Sequence, residues 1–294
     1  MSSPPTMIGL EMPDFARWSE RVVVALGQNP SVFTGPGTNT YLIGTGPQRI
    51  LLDTGGGEPE YLEVLERAMR ESGCEGLQEI VLTHGHPDHI GGAIALNDHL
   101  GPVPVSKKAW PEVDENYHLE LRLLEDGDVI ETEGARLRAV YTPGHAIDHL
   151  CFVLEEEGSL FSGDNVLGIG TTVIPSKSGS LADYMRSLRR LLEERPKAIY
   201  PAHGPLIADG VAKIREYIAH REERDVQILA AMREGAETIA AIVKIVYRSY
   251  PVSLHAAAGQ SVCSHLLKLE HEGRVARAGG PDPLVDDWRL AESA

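Results

Sequence analysis

VLTHGHPDHIGG, residues 81–92, places His84, His86, Asp88 and His89 within six positions, directly after an apolar run. The spacing is H-x-H-x-D-H. Alternate residues of an extended turn point to the same side, so His84 and His86 can share one metal ion. Asp88 and His89 can then turn toward a second. Imidazole nitrogens and carboxylate oxygens suit zinc at about 2.0–2.2 Å. Such a mixed donor set does not fix the metal, and iron or manganese also fit.

Three later stretches repeat the same local grammar. YTPGHAIDH puts His145 after an apolar β run and a Pro-Gly turn. LFSGDNV puts Asp164 at the end of another run, and IYPAHGP puts His203 after a third. Strand ends along one edge of a sheet sandwich can converge on one cleft, which makes these residues candidates for a single metal centre. Two cations sharing an oxygen hold a hydroxide at neutral pH, and that hydroxide attacks a carbonyl or phosphoryl centre. No serine or cysteine nucleophile is needed.

The elements around these turns predict an α+β protein. RVVVALG, NTYLIG and RILLD read as strands, EPEYLEVLERAMRES as a helix and QEIVLT as the strand that delivers the histidines. HIGGAIALNDHL reads as one helix starting on the cluster. Strands return over residues 100–162, and helices are expected over 181–194 and 208–222. This doubled mixture of β and α fits two sheets packed face to face with helices outside. Past residue 222, helices followed by a Gly-Pro hairpin suggest a winged helix. The expected division is therefore 1–221 for the catalytic unit and 222–294 for a winged-helix-like unit.

Bulk properties narrow the classes. The chain has 294 residues, enough for one large domain with a small appendage. No apolar run approaches the ~18 residues of a membrane-spanning helix, so no membrane partner is expected. MSSPPTMIGLEMPDFARWSE lacks the apolar core of a signal peptide and is poor in arginine, which points to the cytoplasm. Cys74, Cys151 and Cys263 are far apart and odd in number, so they read as reduced, buried thiols. The net charge is −16, from 27 Lys+Arg against 43 Asp+Glu. Any basic footprint for a nucleic acid would have to be local on this acidic body.

With these residues in place the sequence resembles the metallo-β-lactamase superfamily. THGHPDH, His145, Asp164 and His203 match its ligand motifs. The resemblance implies a four-layer αβ/βα sandwich and two zinc ions. His84, His86 and His145 would hold the first, Asp88, His89 and His203 the second, with Asp164 bridging. Asp88 and Asp164 are then the expected catalytic carboxylates, Asp88 also orienting the attacking hydroxide. Asp53 in LLDTGGG matches a residue that orients a ligand imidazole through its other nitrogen. True β-lactamases of the superfamily lack an aspartate at the bridging position, so little or no antibiotic hydrolysis is expected. Only 39 positions separate Asp164 from His203, which leaves no room for the inserted domain of β-CASP nucleases.

GTNTYLIGTG, ILLDTG, TPGHAIDH, SGDNVLGIGTTV, DYMRSL, AHGPLI and HLLKLEHEGRV look like the β-lactamase-like protein 2 family, with its appended winged helix. Animal members are endoribonucleases selective for single strands, some of them mitochondrial, while fungal and bacterial relatives act on thioesters or have no assigned activity. The resemblance places single-stranded RNA first as substrate. A small acyl substrate, cleaved by a glyoxalase II-like thioesterase or lactonase, is the alternative. By the same analogy Asn39, Thr40, Thr171 and Thr172 would line the cleft. One feature fits RNA poorly: from residue 222 onward 8 Lys+Arg face 11 Asp+Glu, and Glu270 and Glu272 interleave with Lys268, Arg274 and Arg277. The tail is then expected to close one side of the cleft or to form a contact between two copies of the chain. His149 and His265 read as packing or hydrogen-bonding residues.

Overall fold

The computed structural model describes residues 9–280 and 282–291. The first eight residues, part of the segment read above for a leader, lie outside them. Among the described residues two sheets carry the catalytic unit. The first has seven strands in sequential order: β1 (Phe15–Arg17), β2 (Val22–Leu26), β3 (Asn39–Ile43), β4 (Gln48–Leu52), β5 (Gly76–Val81), β6 (Val105–Lys107) and β7 (Leu121–Leu123). The second runs from β8 (Val129–Thr132) through β9 (Ala135–Tyr141), β10 (Leu150–Leu154) and β11 (Ser159–Gly163) to β12 (Ile199–Pro201). Pairing is antiparallel over β1–β4 and β8–β11, and parallel for β4–β7 and for β11 with β12.

The central strands are apolar on both faces because each sheet is covered twice. Alternation along β2 sends Val22 and Val24 between the sheets. There they meet Tyr41, Ile50 and Leu52 of the first sheet and Leu137, Phe152 and Phe161 of the second. Val23 and Ala25 face outward, against Tyr61, Leu65 and Met69 of α1 (Pro59–Ser72). The second sheet is covered likewise by Leu181, Tyr184 and Leu188 of α5 (Leu181–Glu193) and Ile214 and Tyr217 of α6 (Gly210–Arg233). Three short helices, α2 (Pro87–Ile90), α3 (Ala93–Leu100) and α4 (Pro111–Asp114), occupy the β5–β6 and β6–β7 connections. The result is the αβ/βα sandwich expected from the sequence.

Two local readings change. The helix expected from His89 onward is broken into α2 and α3 at Gly91–Gly92. A Cβ at Gly92 would lie 2.2 Å from the Thr54 carbonyl oxygen, and one at Gly91 2.6 Å from that of Gly56. The glycine pair lets the loop after β4 press against the histidine turn. In addition, α6 runs unbroken through residue 222. Its first half belongs to the core of the second sheet. Its second half, with Ile228, Leu229 and Met232, forms a separate core with α7 (Ile239–Val246), α8 (His255–His271) and Trp288 of the hairpin β13 (Val275–Ala278) and β14 (Asp287–Leu290). One helix is thus shared by two hydrophobic cores. Cys74, Cys151 and Cys263 are buried free thiols. Among the described residues no helix is long and apolar enough to cross a membrane.

Candidate metal centre

Five of the seven candidate ligands sit just past a strand. His84 and His86 follow β5, His145 follows β9, Asp164 follows β11 and His203 follows β12. Asp88 and His89 lie on α2, which starts at Pro87. The strand ends share one edge of the sandwich, and the side chains meet there. His86 Nδ1 lies 2.9 Å from His84 Nε2 and 3.0 Å from His145 Nε2. Asp164 Oδ2 is 3.4 Å from His145 Nε2, while its Oδ1 is 3.4 Å from His89 Nε2 and 3.1 Å from His203 Nε2. Asp88 Oδ2 is 3.4 Å from His203 Nε2. The two oxygens of Asp164 therefore face two different donor sets.

These spacings suit metal ions. Ligand atoms about 2.0–2.1 Å from a tetrahedral zinc are separated from one another by about 3.3 Å. The donor atoms of His84, His86 and His145 lie within 4.8 Å of one another, as do those of Asp88, His89 and His203. His84, His89 and Asp164 satisfy the same condition, so the two sets are contiguous. His89 Nε2 and Asp164 Oδ1 are buried without a hydrogen-bond partner among the described residues. Buried polar atoms are normally paired, and a cation between them would satisfy both.

The surrounding residues fix which nitrogen each imidazole presents. Asp53, at the end of β4, accepts the His89 Nδ1–H at 2.8 Å, the Thr83 N–H at 2.8 Å and the Thr83 hydroxyl at 2.9 Å. Thr83 Oγ1, having donated its proton to Asp53, is free to accept from His84 Nδ1 at 3.1 Å. His145 Nδ1 donates to the Val173 carbonyl at 2.8 Å. His84, His89 and His145 are thus left with Nε2 as a lone pair toward the centre. Asp164 is held from behind, since its backbone N–H donates to His149 Nε2 at 3.1 Å. This contact requires Gly163, whose φ is +49° and whose added Cβ would stand 2.6 Å from His149 Nε2.

Charge is unevenly divided across the site. Burial and the neighbouring imidazoles, His89 foremost, push His84 well below the usual histidine range. Burial and His145 lower His86 to about 4, and burial and His145 also lower His149. On the other side burial is outweighed by the carboxylates. Asp88, Asp53 and Asp164 raise His89, and Asp164 and Asp88 raise His203 to about 9. Burial favours the neutral acid in Asp88 and Asp164, yet His89 and His203 reverse this and bring Asp88 down to about 2 and Asp164 well below the carboxylate range.

The centre lies on the floor of a cavity of about 690 Å³. Its walls include Phe33 and Val32 of the loop after β2, Thr171 and Thr172, Arg221 and Arg224 of α6, and Tyr247 and His265 of the tail. Thr172 is buried, and its hydroxyl donates to the Asp164 carbonyl. Asn39 and Thr40 do not line this cavity. The Asn39 amide donates to the carbonyls of Pro201 and Gly204, which shapes the turn carrying His203. Thr40, next along the strand, faces the opposite way and bonds Ala25 and Tyr61. His265 donates from Nδ1 to Asp225 at 2.6 Å, beside Lys268. The sequence reading did not single out Thr83, Arg221, Arg224 or the buried pair of Lys107 and Asp148 at 3.0 Å behind Gly85. Thr83 had a signal, since it stands between the β5 apolar run and His84. The arginines had none, because only tertiary packing decides which face of α6 meets the cavity.

The sequence profile of the metallo-beta-lactamase superfamily matches residues 33–203, and that of the beta-lactamase associated winged helix domain matches residues 238–288. The chain belongs to the metallo-beta-lactamase superfamily of hydrolases and carries the associated winged helix. It is 38% identical to a beta-lactamase-like protein 2 homolog of Drosophila melanogaster, covering 90% of this chain and 92% of that one. It is equally 38% identical to an atrochrysone carboxyl ACP thioesterase of Claviceps purpurea, over 81% of this chain and 75% of the other. A beta-lactamase domain protein of Burkholderia ambifaria shares the fold over 99% of this chain and 95% of its own, with a TM-score of 0.77 at 21% identity.

Proposed function

We propose that the protein is a dinuclear metallohydrolase that cleaves thioesters or esters of a small acyl substrate. In this reading His84, His86 and His145 would hold one divalent cation, Asp88, His89 and His203 would hold the second, and Asp164 would serve both. Zinc suits the donors, and iron or manganese fit them as well. Such a pair, when bound, lowers the pKa of water and acts as a Lewis acid toward a carbonyl.

The chain's own residues supply position. Asp53 and Thr83 keep the imidazoles in the ligating tautomer, and His149 fixes the Asp164 backbone. Asp88, half-buried on the cavity floor, accepts a hydrogen bond from the attacking water. The observation that carries the acyl reading is the size of the cleft over the centre. Helix α6 and the tail wall the cleft into about 690 Å³, a volume typical of small-molecule sites. Phe33, Val32, Leu167 and Ile169 give it an apolar lining suited to an acyl group. The net charge of −16 also disfavours a polyanion. A relative at 38% identity bears the name of a thioesterase.

Cleavage of single-stranded RNA is the second reading, favoured by the equal identity to the beta-lactamase-like protein 2 homolog. Metal-loaded protein should be given an acyl thioester and a single-stranded RNA in parallel. Thioester turnover with intact RNA is expected. Rapid RNA cleavage with an untouched thioester reverses the order.

A further inference from the structure

Two arginines stand one helical turn apart on the α6 wall of the cavity, and both are more than nine-tenths buried. Arg221 donates from Nη2 to the Thr172 carbonyl, but its Nε is buried without a partner among the described residues. Arg224 lays its guanidinium 4.2 Å from the centre of the Tyr247 ring, and its Nη1 is likewise buried and unpaired. Neither lies within 4.0 Å of a carboxylate among the described residues. Of the acids adjacent in sequence, Glu222 pairs with Arg189, Glu223 accepts from Gln227, and Asp225 is committed to His265 and Lys268. Asp88 and Asp164, the acids that line the cavity, are engaged with the histidines.

Burying two guanidinium groups without a counter-anion is unfavourable, and a planar oxyanion matches their donor geometry. A nearby group supplies the opposite polarity. His265 spends its proton on Asp225, so its remaining ring nitrogen, the buried Nε2, is an acceptor rather than a second anion donor. Among the described residues of the α6 and tail wall, Arg221 and Arg224 are the cationic groups. The pair is tied to the metal floor: Thr172, whose carbonyl Arg221 holds, bonds Asp164 through its hydroxyl.

We propose that Arg221 and Arg224 form a carboxylate subsite. The preferred substrate is then the mono-thioester or mono-ester of a dicarboxylic acid, its free carboxylate on the arginines and its acyl carbonyl over the metal floor. This rests on the acyl-hydrolase reading above. The same oxyanion chemistry can come from a phosphate on the leaving group, and the test separates the two sources.

Glutaryl and adipoyl thioesters of N-acetylcysteamine are compared with their neutral counterparts, pentanoyl and hexanoyl, and with pentanoyl-coenzyme A. The wild type is expected to favour the carboxylated member of each pair by about tenfold or more in kcat/KM, mainly through KM. Arg224→Gln is expected to bring that ratio close to one, and Arg224→Lys to keep part of it. In metal-free protein, millimolar glutarate at constant ionic strength is expected to raise the thermal midpoint of the wild type but not of Arg224→Gln. Equal rates within the pairs, with no glutarate effect, overturn the subsite. An Arg224-dependent preference for the coenzyme A ester alone moves the anion to the leaving group and overturns the acyl-carboxylate assignment. If no thioester is turned over but glutarate still protects through Arg224, the hydrolase reading fails while the subsite stands. Should Arg224→Gln fail to fold, the wild-type ratios and the glutarate effect decide.

Discussion

Asp53→Asn isolates the hydrogen-bond frame behind the metal ligands. The change is nearly isosteric. Asp53 has φ +60°, a left-handed conformation that asparagine adopts readily, so no backbone strain is added. The buried carboxylate accepts from the His89 imidazole and from both donors of Thr83. An asparagine keeps one acceptor oxygen. If that oxygen stays on the Thr83 N–H, its amide N–H group faces His89 Nδ1. His89 must then accept at Nδ1 and carry its proton on Nε2, the atom that faces Asp164 and Asp88. Loss of such an orienting partner typically weakens metal binding by about 10–100-fold, or about 1.4–2.7 kcal/mol. One charge-assisted hydrogen bond also goes, costing the metal-free fold about 1.5–3 kcal/mol. Competition against a chromophoric chelator measures the first quantity and urea unfolding of metal-free protein the second. The site affected should be the one that His89 shares with Asp88 and His203. A variant that binds both cations within about twofold of wild-type affinity would refute the argument.

Asp164→Asn removes the carboxylate that faces both donor sets; hydrolytic activity should vanish while circular dichroism stays native, and full activity would show that the ligand assignment is wrong. Gly163→Ala forces a Cβ toward His149 at a positive φ and is expected to cost about 1–3 kcal/mol and to lower activity, which unchanged thermal unfolding and turnover would contradict. Asp225 makes the third case: burial pushes its carboxyl up, but His265 and Lys268 outweigh this and hold it below the usual range. Its contribution is therefore present above the unfolded carboxylate pKa near about 4 and disappears as pH falls through the lower folded value. Asp225→Asn should destabilise the protein by about 3 kcal/mol at neutral pH, with the gap to wild type closing in acid. A gap that is the same at both pH values contradicts that account.

How far the sequence carried depends on whether local chemistry or tertiary packing sets each feature. The clustering of the seven candidate donors was legible because each follows an apolar β run and sits in a Gly- or Pro-bearing turn. A sheet edge turns that pattern into a cluster with no further information. Asn39 and Thr40 show the limit. Their motif was visible, but strand alternation sends Thr40 into the α1 layer, and Asn39 spends its amide on the His203 turn. The unbroken α6 had a readable signal, since no Gly or Pro interrupts residues 211–234. The shift in character at residue 222 masked it, because the helix changes the core it serves without changing its backbone. Arg221 and Arg224 were invisible as a site. On a helix flanked by charged residues they look like solvated surface until the tail and the Thr172 segment close over them.

The central claim is that seven side chains from four strand ends and one short helix hold two cations. A crystal of protein reconstituted with zinc, with anomalous diffraction recorded on both sides of the metal edge, tests it most directly. Two peaks are predicted. One should lie within about 2.3 Å of the ligating nitrogens of His84, His86 and His145, the other at the same distance from donor atoms of Asp88, His89 and His203, and each should touch an oxygen of Asp164. A single peak, or peaks away from these residues, would contradict the account.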